Sequence, residues 1–354
     1  MADISADEID PAECAAKAGL TYVSDEEPGL HRKKWGRGYT VLDPEGEHMQ
    51  DDSVHDRIAA LAIPPAWTEV WICMDPMGHL QVTGRDDRGR KQYIYHPEWE
   101  RARTAMKFSR VAAFGESLPA LRKHCKKELE RSELSREKVL SAVVFLLDKT
   151  LVRIGNEAYA QHNDSFGLTT LRDSHVDFSG TRCTFEFPGK SGKEHHIELD
   201  DPRLARVVRA CRDVPGQELF QYYDVQGCRQ RIDSSDVNEF LKAVTGGPFT
   251  AKDFRTWGGS VAAATDLGTR DAPEGSAEVD KQIVEMVKNV ADLLGNTPAI
   301  CRDYYIHPRI IDAHREGTFQ PLFREALKRI RSGYLDRREK ALLYCFDQWE
   351  NGGA

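Results

Sequence analysis

The chain has 354 residues, 40% hydrophobic and 30% charged, with a formal net charge of −8. That length supports two or three domains, each with its own core, and no apolar run approaches the roughly 18 residues a helical membrane span needs. The eight cysteines are far apart and include no Cys-x-x-Cys pair, so a disulfide framework is excluded and reduced, mostly buried thiols are expected.

Residues 1–28 are acidic and alanine-rich and read as a loosely held arm. The start, Met1-Ala2-Asp3-Ile4-Ser5, lacks a secretory n-region, and the expected location is the cytoplasm. Residues 1–60 carry 14 acidic and 6 basic side chains and account for the whole charge excess, whereas residues 81–131 carry 13 basic and 7 acidic. An acidic protein is a poor match for nucleic acid on net charge alone, but a basic tract of this kind is where a footprint on DNA would lie. A solvated helix face explains the tract equally well.

Residues 29–104 read as a small antiparallel β domain. The sequence reads as β from His31 to Leu42, and a helical interval at residues 53–61 then stops before Ile63-Pro64-Pro65, where paired prolines forbid helix. Residues 69–74 and 79–84 make two strands about a Pro76-Met77-Gly78 turn, and a turn bearing Arg85, Arg88 and Arg90 leads into a last strand from Lys91. Tyr93 and Tyr95 share one face of that strand. Rings beside cations suit a surface that meets DNA, while a half-buried strand accounts for the tyrosines as well.

Residues 105–354 read as mainly helical. Helices are predicted over residues 117–130 and 135–161, the second with Val139, Val143, Leu146, Leu147 and Leu151 as its apolar stripe. Arg153 interrupts that stripe, which is costly unless it is paired or aimed at an anion. Three strands follow at residues 167–176, 182–187 and 194–199, the last two joined by a tip, Pro188-Gly189-Lys190-Ser191-Gly192-Lys193, that presents a lysine. It is no phosphate loop, because Thr184 stands where the first glycine belongs and a strand follows. Gly36-Arg37-Gly38 likewise lacks the third glycine of a dinucleotide fingerprint. His195 and His196 point to opposite faces of a strand, so with His175 they make a surface hairpin rather than a metal site.

Helices at residues 202–211 and 234–244 precede Thr250-Ala251-Lys252-Asp253, which has capping-box spacing and opens a helix carrying Phe254, Arg255 and Trp257. Gly258-Gly259-Ser260 is not a nucleophile elbow, since helix and not strand precedes it. A helix over residues 276–294 ends at Gly295. Thr297 or Asn296 caps a short helix with Pro298 at its first position, carrying Tyr304 and Tyr305, and Pro308 limits it by constraining His307. Helices at residues 319–331 and 335–349 close the chain. The fold class is α+β: a small antiparallel β-sheet domain, then a larger mainly α-helical domain with a three-stranded β-hairpin sheet. A tyrosine pair on a helix is usually packing. As a nucleophile, a phenol of ordinary pKa about 10 needs cations that hold a phosphodiester beside it.

Five motifs stand in one order: Arg153 in Arg-Ile-Gly-Asn, Lys190 in Gly-Lys-Ser-Gly-Lys, Lys252-Asp253-Phe254-Arg255-Thr256-Trp257-Gly258, Gly295-Asn296-Thr297-Pro298, and Tyr305 in Tyr-Ile-His-Pro. Together they resemble the type IB DNA topoisomerases, most closely the compact poxviral and bacterial ones. Arg85, Arg88, Arg90, Lys91, Gln92, Tyr93 and Tyr95 resemble part of that family's DNA-clamping domain, and the resemblance runs from about Trp35 to the C-terminus. It implies that Tyr305, not Tyr304, attacks a backbone phosphodiester of double-stranded DNA. A 3′-phosphotyrosyl enzyme and a free 5′-hydroxyl would result, supercoils would relax by strand rotation, and the hydroxyl would attack back, with no cofactor, neither ATP nor metal. The resemblance further implies monomeric action, at the nucleoid.

In that pattern Arg153 and Arg255 meet the nonbridging oxygens, Lys190 is the general acid, and Lys252 assists it. Asn296 stands where many members have histidine; its neutral amide can donate a hydrogen bond but no proton, so its expected role is to orient. A tyrosine recombinase shares the chemistry, but its His-x-x-Arg box would need histidine at Lys252. A non-catalytic DNA clamp would not need competent residues at all five positions. Without DNA, the site is expected to be dispersed, with the hairpin tip poorly ordered or turned away and room for the tyrosine to be displaced.

Overall fold

The computed structural model describes residues 11–351, apart from 37, 330 and 332. It forms two compact units with the boundary between Lys107 and Phe108. The first contains α1 (Pro11–Lys17), β1 (Leu30–Trp35), β2 (Gly38–Leu42), α2 (Asp52–Ala60), β3 (Thr68–Ile72), β4 (Leu80–Arg85) and β5 (Lys91–Tyr95), and α3 (Pro97–Ser109) begins there. The strands form one antiparallel sheet in the order β2-β1-β3-β4-β5.

Along β3 the side chains alternate between two apolar layers, as the twofold strand period requires. Val70 and Ile72 join Leu30, Val41 and Val82 under Val54 and Ile58 of α2. Trp71 joins Val23, Cys73 and Leu80 on the other side. That second layer needs a cover, and the segment expected as a loose arm supplies part of it. Its first ten residues lie outside the described ones, but Cys14, Ala15 and Leu20 are buried against Trp99. Thr21 is tied into the fold by Thr21 N–H to Met77 O, 2.9 Å, and His79 N–H to Thr21 O, 2.8 Å.

The second unit continues with α4 (Val111–Leu129), α5 (Arg136–Thr150), α6 (Glu157–Asn163), β6 (Val176–Ser179), β7 (Arg182–Pro188), β8 (Glu194–Asp200), α7 (Pro202–Arg212), β9 (Gln221–Tyr223) and β10 (Arg229–Arg231). Then come α8 (Ser234–Thr245), α9 (Ala251–Thr269), α10 (Ser276–Leu294), α11 (Pro298–Tyr304), α12 (Pro308–Arg315), α13 (Phe319–Arg329) and α14 (Arg337–Asn351). Strands β6-β7-β8 form the expected three-stranded antiparallel sheet, and β9-β10 a hairpin the sequence reading did not anticipate. Helix α5 packs against α4, α7, α8 and α9, and Val139, Leu140, Val143, Leu146 and Leu147 are all buried in one continuous core.

Two expected elements differ. The helix foreseen over residues 135–161 breaks at Leu151, which takes a left-handed φ of 56°. The carbonyls of Arg153 and Ile154 accept instead from the amides of Leu168 (3.0 Å) and Thr169 (2.7 Å). A tertiary pairing therefore takes the place of two helical hydrogen bonds, which local periodicity cannot reveal. Gly167 makes the pairing possible, for a Cβ there would lie 2.5 Å from Arg153 O. The strand foreseen at residues 167–176 is two short 3₁₀ turns leading into β6. Pro308 limits the tyrosine helix as expected: α11 ends at Tyr304 and His307 is held extended at ψ 121°. It also opens α12, with the His307 ring as N-cap accepting from Arg309 N–H at 3.2 Å.

One buried polar cluster locks the helices together. Arg122 of α4 reaches Asp148 of α5 and Glu339 of α14, each at 2.7 Å, and Glu339 also accepts from Trp257 Nε1 of α9 at 3.1 Å. Gly115 of α4 leaves room for that indole, since a Cβ would meet it at 2.4 Å. Burial pushes the Glu339 carboxyl up, but the Arg122 guanidinium outweighs it and holds the group below the usual glutamate range. Glu339 thus adds stability that is present above its unfolded pKa and lost as the pH falls through the lower folded value. Arg122→Ala would strand two buried carboxylates, and urea denaturation at neutral pH is expected to show a loss of about 3–5 kcal/mol.

Candidate active site

Helix α10 forms because Ile283, Met286, Val287, Val290 and Leu294 make one buried stripe, and it stops because Gly295 takes a left-handed φ of 60°. Any such end leaves its last carbonyls without helical partners and carries partial negative charge. Here cations occupy them. Arg255 Nη2 donates to Leu294 O at 2.7 Å, Arg153 Nη2 to Gly295 O at 3.4 Å, and Lys193 Nζ to Asp292 O at 3.4 Å.

Arg255 comes from α9, whose start is fixed by Asp253: its carboxylate accepts from Thr250 N–H at 2.7 Å. The arginine is only 4% exposed. Its Nη1 donates to Leu151 O, the carbonyl at the left-handed end of α5, and its buried Nε has no hydrogen-bond partner among the described residues. Arg153 lies two residues beyond that same end and donates from Nη2 to Asn296 Oδ1. Burial, then the positive charge of Arg255, holds the Arg153 guanidinium below its ordinary pKa. Asn296 Nδ2 is buried without a partner among the described residues. Neither arginine forms an ion pair with a carboxylate among the described residues. One buried and one half-buried guanidinium, held only by neutral oxygens, make a site that favours an anion.

Tyr305 closes α11, with its N–H on Cys301 O at 2.9 Å, and Thr297 caps the start of that helix. The Arg255 guanidinium carbon stands 5.1 Å from the Tyr305 ring centre. The backbone of Tyr305 rests on α9 at Gly259, where a Cβ would come 2.6 Å from Tyr305 O. Buried Ser260 accepts from His307 N–H at 3.0 Å and donates to Tyr305 O at 3.4 Å. Tyr304 is 41% exposed. The glycine-serine pair set aside as a failed elbow is therefore the seat of the tyrosine turn. No local signal announces it, because the contact joins positions 45 residues apart.

Lys190 opens a 3₁₀ turn, Lys190–Gly192, at the exposed tip between β7 and β8. Its ammonium has no hydrogen bond or ion pair among the described residues. Lys252 is exposed on the first turn of α9, three residues before Arg255. The tip is not turned away as expected, since Lys193 lies on the end of α10. His195 also departs from the surface reading: it stacks on Phe187 with ring centres 5.0 Å apart and fills the space beside Gly189. Burial, then the charges of Arg153, Lys193 and Arg255, keeps its pKa low.

In the first unit the basic turn is matched by its own carboxylates. Arg85 pairs with Glu69 at 2.6 Å, Arg90 with Asp86 at 2.7 Å and Lys91 with Asp25 at 2.5 Å, while Gln92 donates to Asp86 at 2.9 Å. Arg88 is exposed. Tyr93 and Tyr95 stack with centres 5.9 Å apart, Lys91 lies over Tyr93 at 5.7 Å, and Arg103, not singled out from the sequence, lies over Tyr95 at 5.9 Å. Among the described residues no group of acidic, histidine or cysteine side chains is arranged to hold a metal, and no helix is long and apolar enough to cross a membrane.

The family model for the eukaryotic DNA topoisomerase I catalytic core matches residues 96–318, and that for the bacterial DNA topoisomerase IB N-terminal domain matches residues 38–86. DNA topoisomerase 1B of Acanthamoeba polyphaga mimivirus is 31% identical over 287 residues, 78% of this chain and 85% of that protein. The chain belongs to the type IB DNA topoisomerase family. Vaccinia virus (strain Copenhagen) DNA topoisomerase 1B is 22% identical over 277 residues, 76% of this chain and 84% of its own. DNA topoisomerase 1 of Schizosaccharomyces pombe matches 163 residues at 27% identity, 46% of this chain and 19% of that larger protein. The catalytic-core match of this type IB topoisomerase spans Arg153, Lys190, Lys252, Arg255, Asn296 and Tyr305, and the N-terminal match reaches Arg85.

Two measurements probe the seat of Tyr305. Gly259→Ala must displace the Tyr305 carbonyl. If Tyr305 carries the reaction, a shift near 1 Å there costs about 10²-fold, and relaxation of supercoiled plasmid should fall by that order while far-ultraviolet circular dichroism stays native. His307, wedged between Phe108 and Phe346, is lowered by burial to about 4. The unfolded chain therefore binds a proton that the folded chain refuses, and stability falls between pH 6.5 and 4 and levels off below. That share, roughly 3 kcal/mol, should be missing from the pH profile of His307→Gln.

Proposed function

We propose that this type IB topoisomerase cuts and reseals one strand of duplex DNA through Tyr305. A phosphodiester between the two arginines replaces the carbonyls of Leu294 and Gly295 as their acceptor, and Arg153 and Arg255 then face the nonbridging oxygens, where charge builds up in the pentavalent transition state. The buried Asn296 amide donor serves one of the same oxygens. The Tyr305 oxygen bonds to phosphorus as the bond to the 5′-oxygen breaks; its phenolic proton passes to water, and Lys190 gives a proton to the departing oxygen. A 3′-phosphotyrosyl link and a free 5′-hydroxyl remain. The bond energy is conserved in that link, so the hydroxyl can reverse the step after the strand has turned, without ATP or a metal. Lys252, one helical turn from Arg255, assists Lys190.

The observation that carries this reading is the guanidinium of Arg255 lying 5.1 Å from the ring of Tyr305 while its own hydrogen bonds go to neutral carbonyls. In the first unit, Arg85, Arg88, Arg90, Lys91 and Gln92 engage the DNA backbone, with Tyr93 and Tyr95 beside them. Of their present carboxylate partners Glu69 is exposed and Asp25 and Asp86 are half-buried, while the cations themselves lie at the surface, where ion pairs are weak enough for phosphates to replace them.

Tyr305→Phe tests the reading. Supercoiled plasmid in EDTA without ATP should be relaxed by the wild type and left untouched by the variant, and only the wild type should be trapped covalently on DNA by detergent. Duplex binding by the variant should persist and weaken steeply with salt. Relaxation by Tyr305→Phe would overturn the assignment of the nucleophile.

A further inference from the structure

Two lysines stand on the hairpin tip between β7 and β8, and the mechanism above uses one. The other, Lys193, closes the tip at the backbone: its carbonyl accepts from Gly189 N–H at 2.8 Å, and Gly192 N–H returns to Gly189 O at 3.0 Å. Lys190 lies inside this closed turn. Beside the turn, the His195 ring occupies the position a Cβ on Gly189 would need, at 2.5 Å. The side chain of Lys193 then crosses to α10. Its stem passes 3.3 Å from where a Cβ on Gly295 would be, and its ammonium donates to Asp292 O at 3.4 Å. Gly295 thus has two functions, to end the helix with a positive φ and to leave a track for the lysine stem. The same helix end binds Arg153 and Arg255.

We infer that Lys193 is a positioning residue: it latches the hairpin tip to the carboxyl end of α10 and so sets the distance from Lys190 to the leaving 5′-oxygen. A cation on a helix C-terminus is favoured by the partial negative charge there, and Asp292 O, which also accepts from Gly295 N–H at 3.2 Å, has a second lone pair for it. Such a bond between an exposed ammonium and a carbonyl is weak alone. It ties the tip, however, to the segment that also fixes Asn296, and through Arg255 to the place where Tyr305 sits. Without it, Lys190 samples a wider volume and proton delivery slows, because general acid catalysis depends on hydrogen-bond reach to the departing atom. The arginines and the tyrosine stay in place, so the attack itself is unaffected.

The inference rests on the reading of Lys190 as general acid, and a leaving-group comparison separates the two. Single-turnover cleavage is measured on two duplexes that share a mapped wild-type cleavage site, one with the ordinary 5′-oxygen at the scissile phosphate and one with sulfur in its place. A thiolate leaves without protonation, as a thiol pKa of about 8.5 allows. Lys190→Ala should be slow on oxygen and recover on sulfur. Lys193→Ala and Lys193→Gln should be slower than wild type by about 10-fold or more on oxygen, match it within about twofold on sulfur, and melt at the wild-type temperature. Lys193→Arg, which can still donate to Asp292 O, should restore the oxygen rate. Equal slowing of both Lys193 variants on both substrates, or no slowing on oxygen, overturns the latch while Lys190 stands. Failure of Lys190→Ala to recover on sulfur overturns the general-acid reading and the latch with it.

Discussion

The carboxyl end of α10 is where the positive charge of this site is balanced. Buried guanidiniums are expensive to leave unsatisfied, and a carboxylate partner would solve that cost at the expense of function, since a full negative charge competes with a phosphate on equal terms. Helix carbonyls solve it differently. Leu294 O and Gly295 O satisfy Arg255 and Arg153 with partial charge only. In the proposed mechanism a diester presents stronger acceptors to the same two arginines, so a site satisfied by carbonyls when empty would still prefer its anion.

Everything else in the second unit keeps that helix end in register with the cations aimed at it. Arg153 arrives where α5 breaks, and the break survives because Leu168 and Thr169 take over the carbonyls it frees. Arg255 arrives on α9, which is locked to α4, α5 and α14 through Trp257, Glu339, Arg122 and Asp148. The tyrosine turn is laid on α9 within two helical positions of one another, Gly259 giving clearance and Ser260 the hydrogen bonds. The Arg255 fork and the Tyr305 backbone are thus referenced to a single rigid helix, the condition under which a phosphorus atom can be met from both sides.

What the sequence disclosed follows from how local each signal is. Helix α10 was legible to the residue, because its stripe, its terminal Gly295 and the following Thr297-Pro298 cap all lie within one stretch of chain. The sheet strands β3, β4 and β5 were legible within a residue or two for the same reason. The break after Thr150, the seat at Gly259-Ser260 and the packing of residues 11–28 were not, since each is decided by a partner distant in sequence. Apolar periodicity does not change at Leu151; only Gly167, sixteen residues on, makes the detour possible. Of the cations, Arg153 alone stands out by its cost, since a guanidinium in an apolar turn needs a partner or an anion; Lys190, Lys252 and Arg255 are legible only through the motifs that contain them. Lys193 was overlooked because an exposed lysine has no such cost, and its meaning comes only from the carbonyl it reaches.

Asn296 shows why a neutral group suits this particular pocket. Its Oδ1 is taken by Arg153, which leaves Nδ2 as a buried donor with no partner among the described residues. An imidazole in that place would have to accept from Arg153 on one nitrogen and donate from the other, which only the neutral tautomer can do. Protonated, it would set a third positive charge against two guanidiniums that already repel, a repulsion that adds to burial in lowering Arg153, and it would lose the lone pair that Arg153 uses. An amide has no such alternative state. Its donor points the same way at every pH, and the orientation of Arg153 is coupled to it through one hydrogen bond. On the proposed mechanism the charge for the phosphate comes from the arginines and the proton from a lysine, which leaves Asn296 the orienting role that a neutral amide can fill.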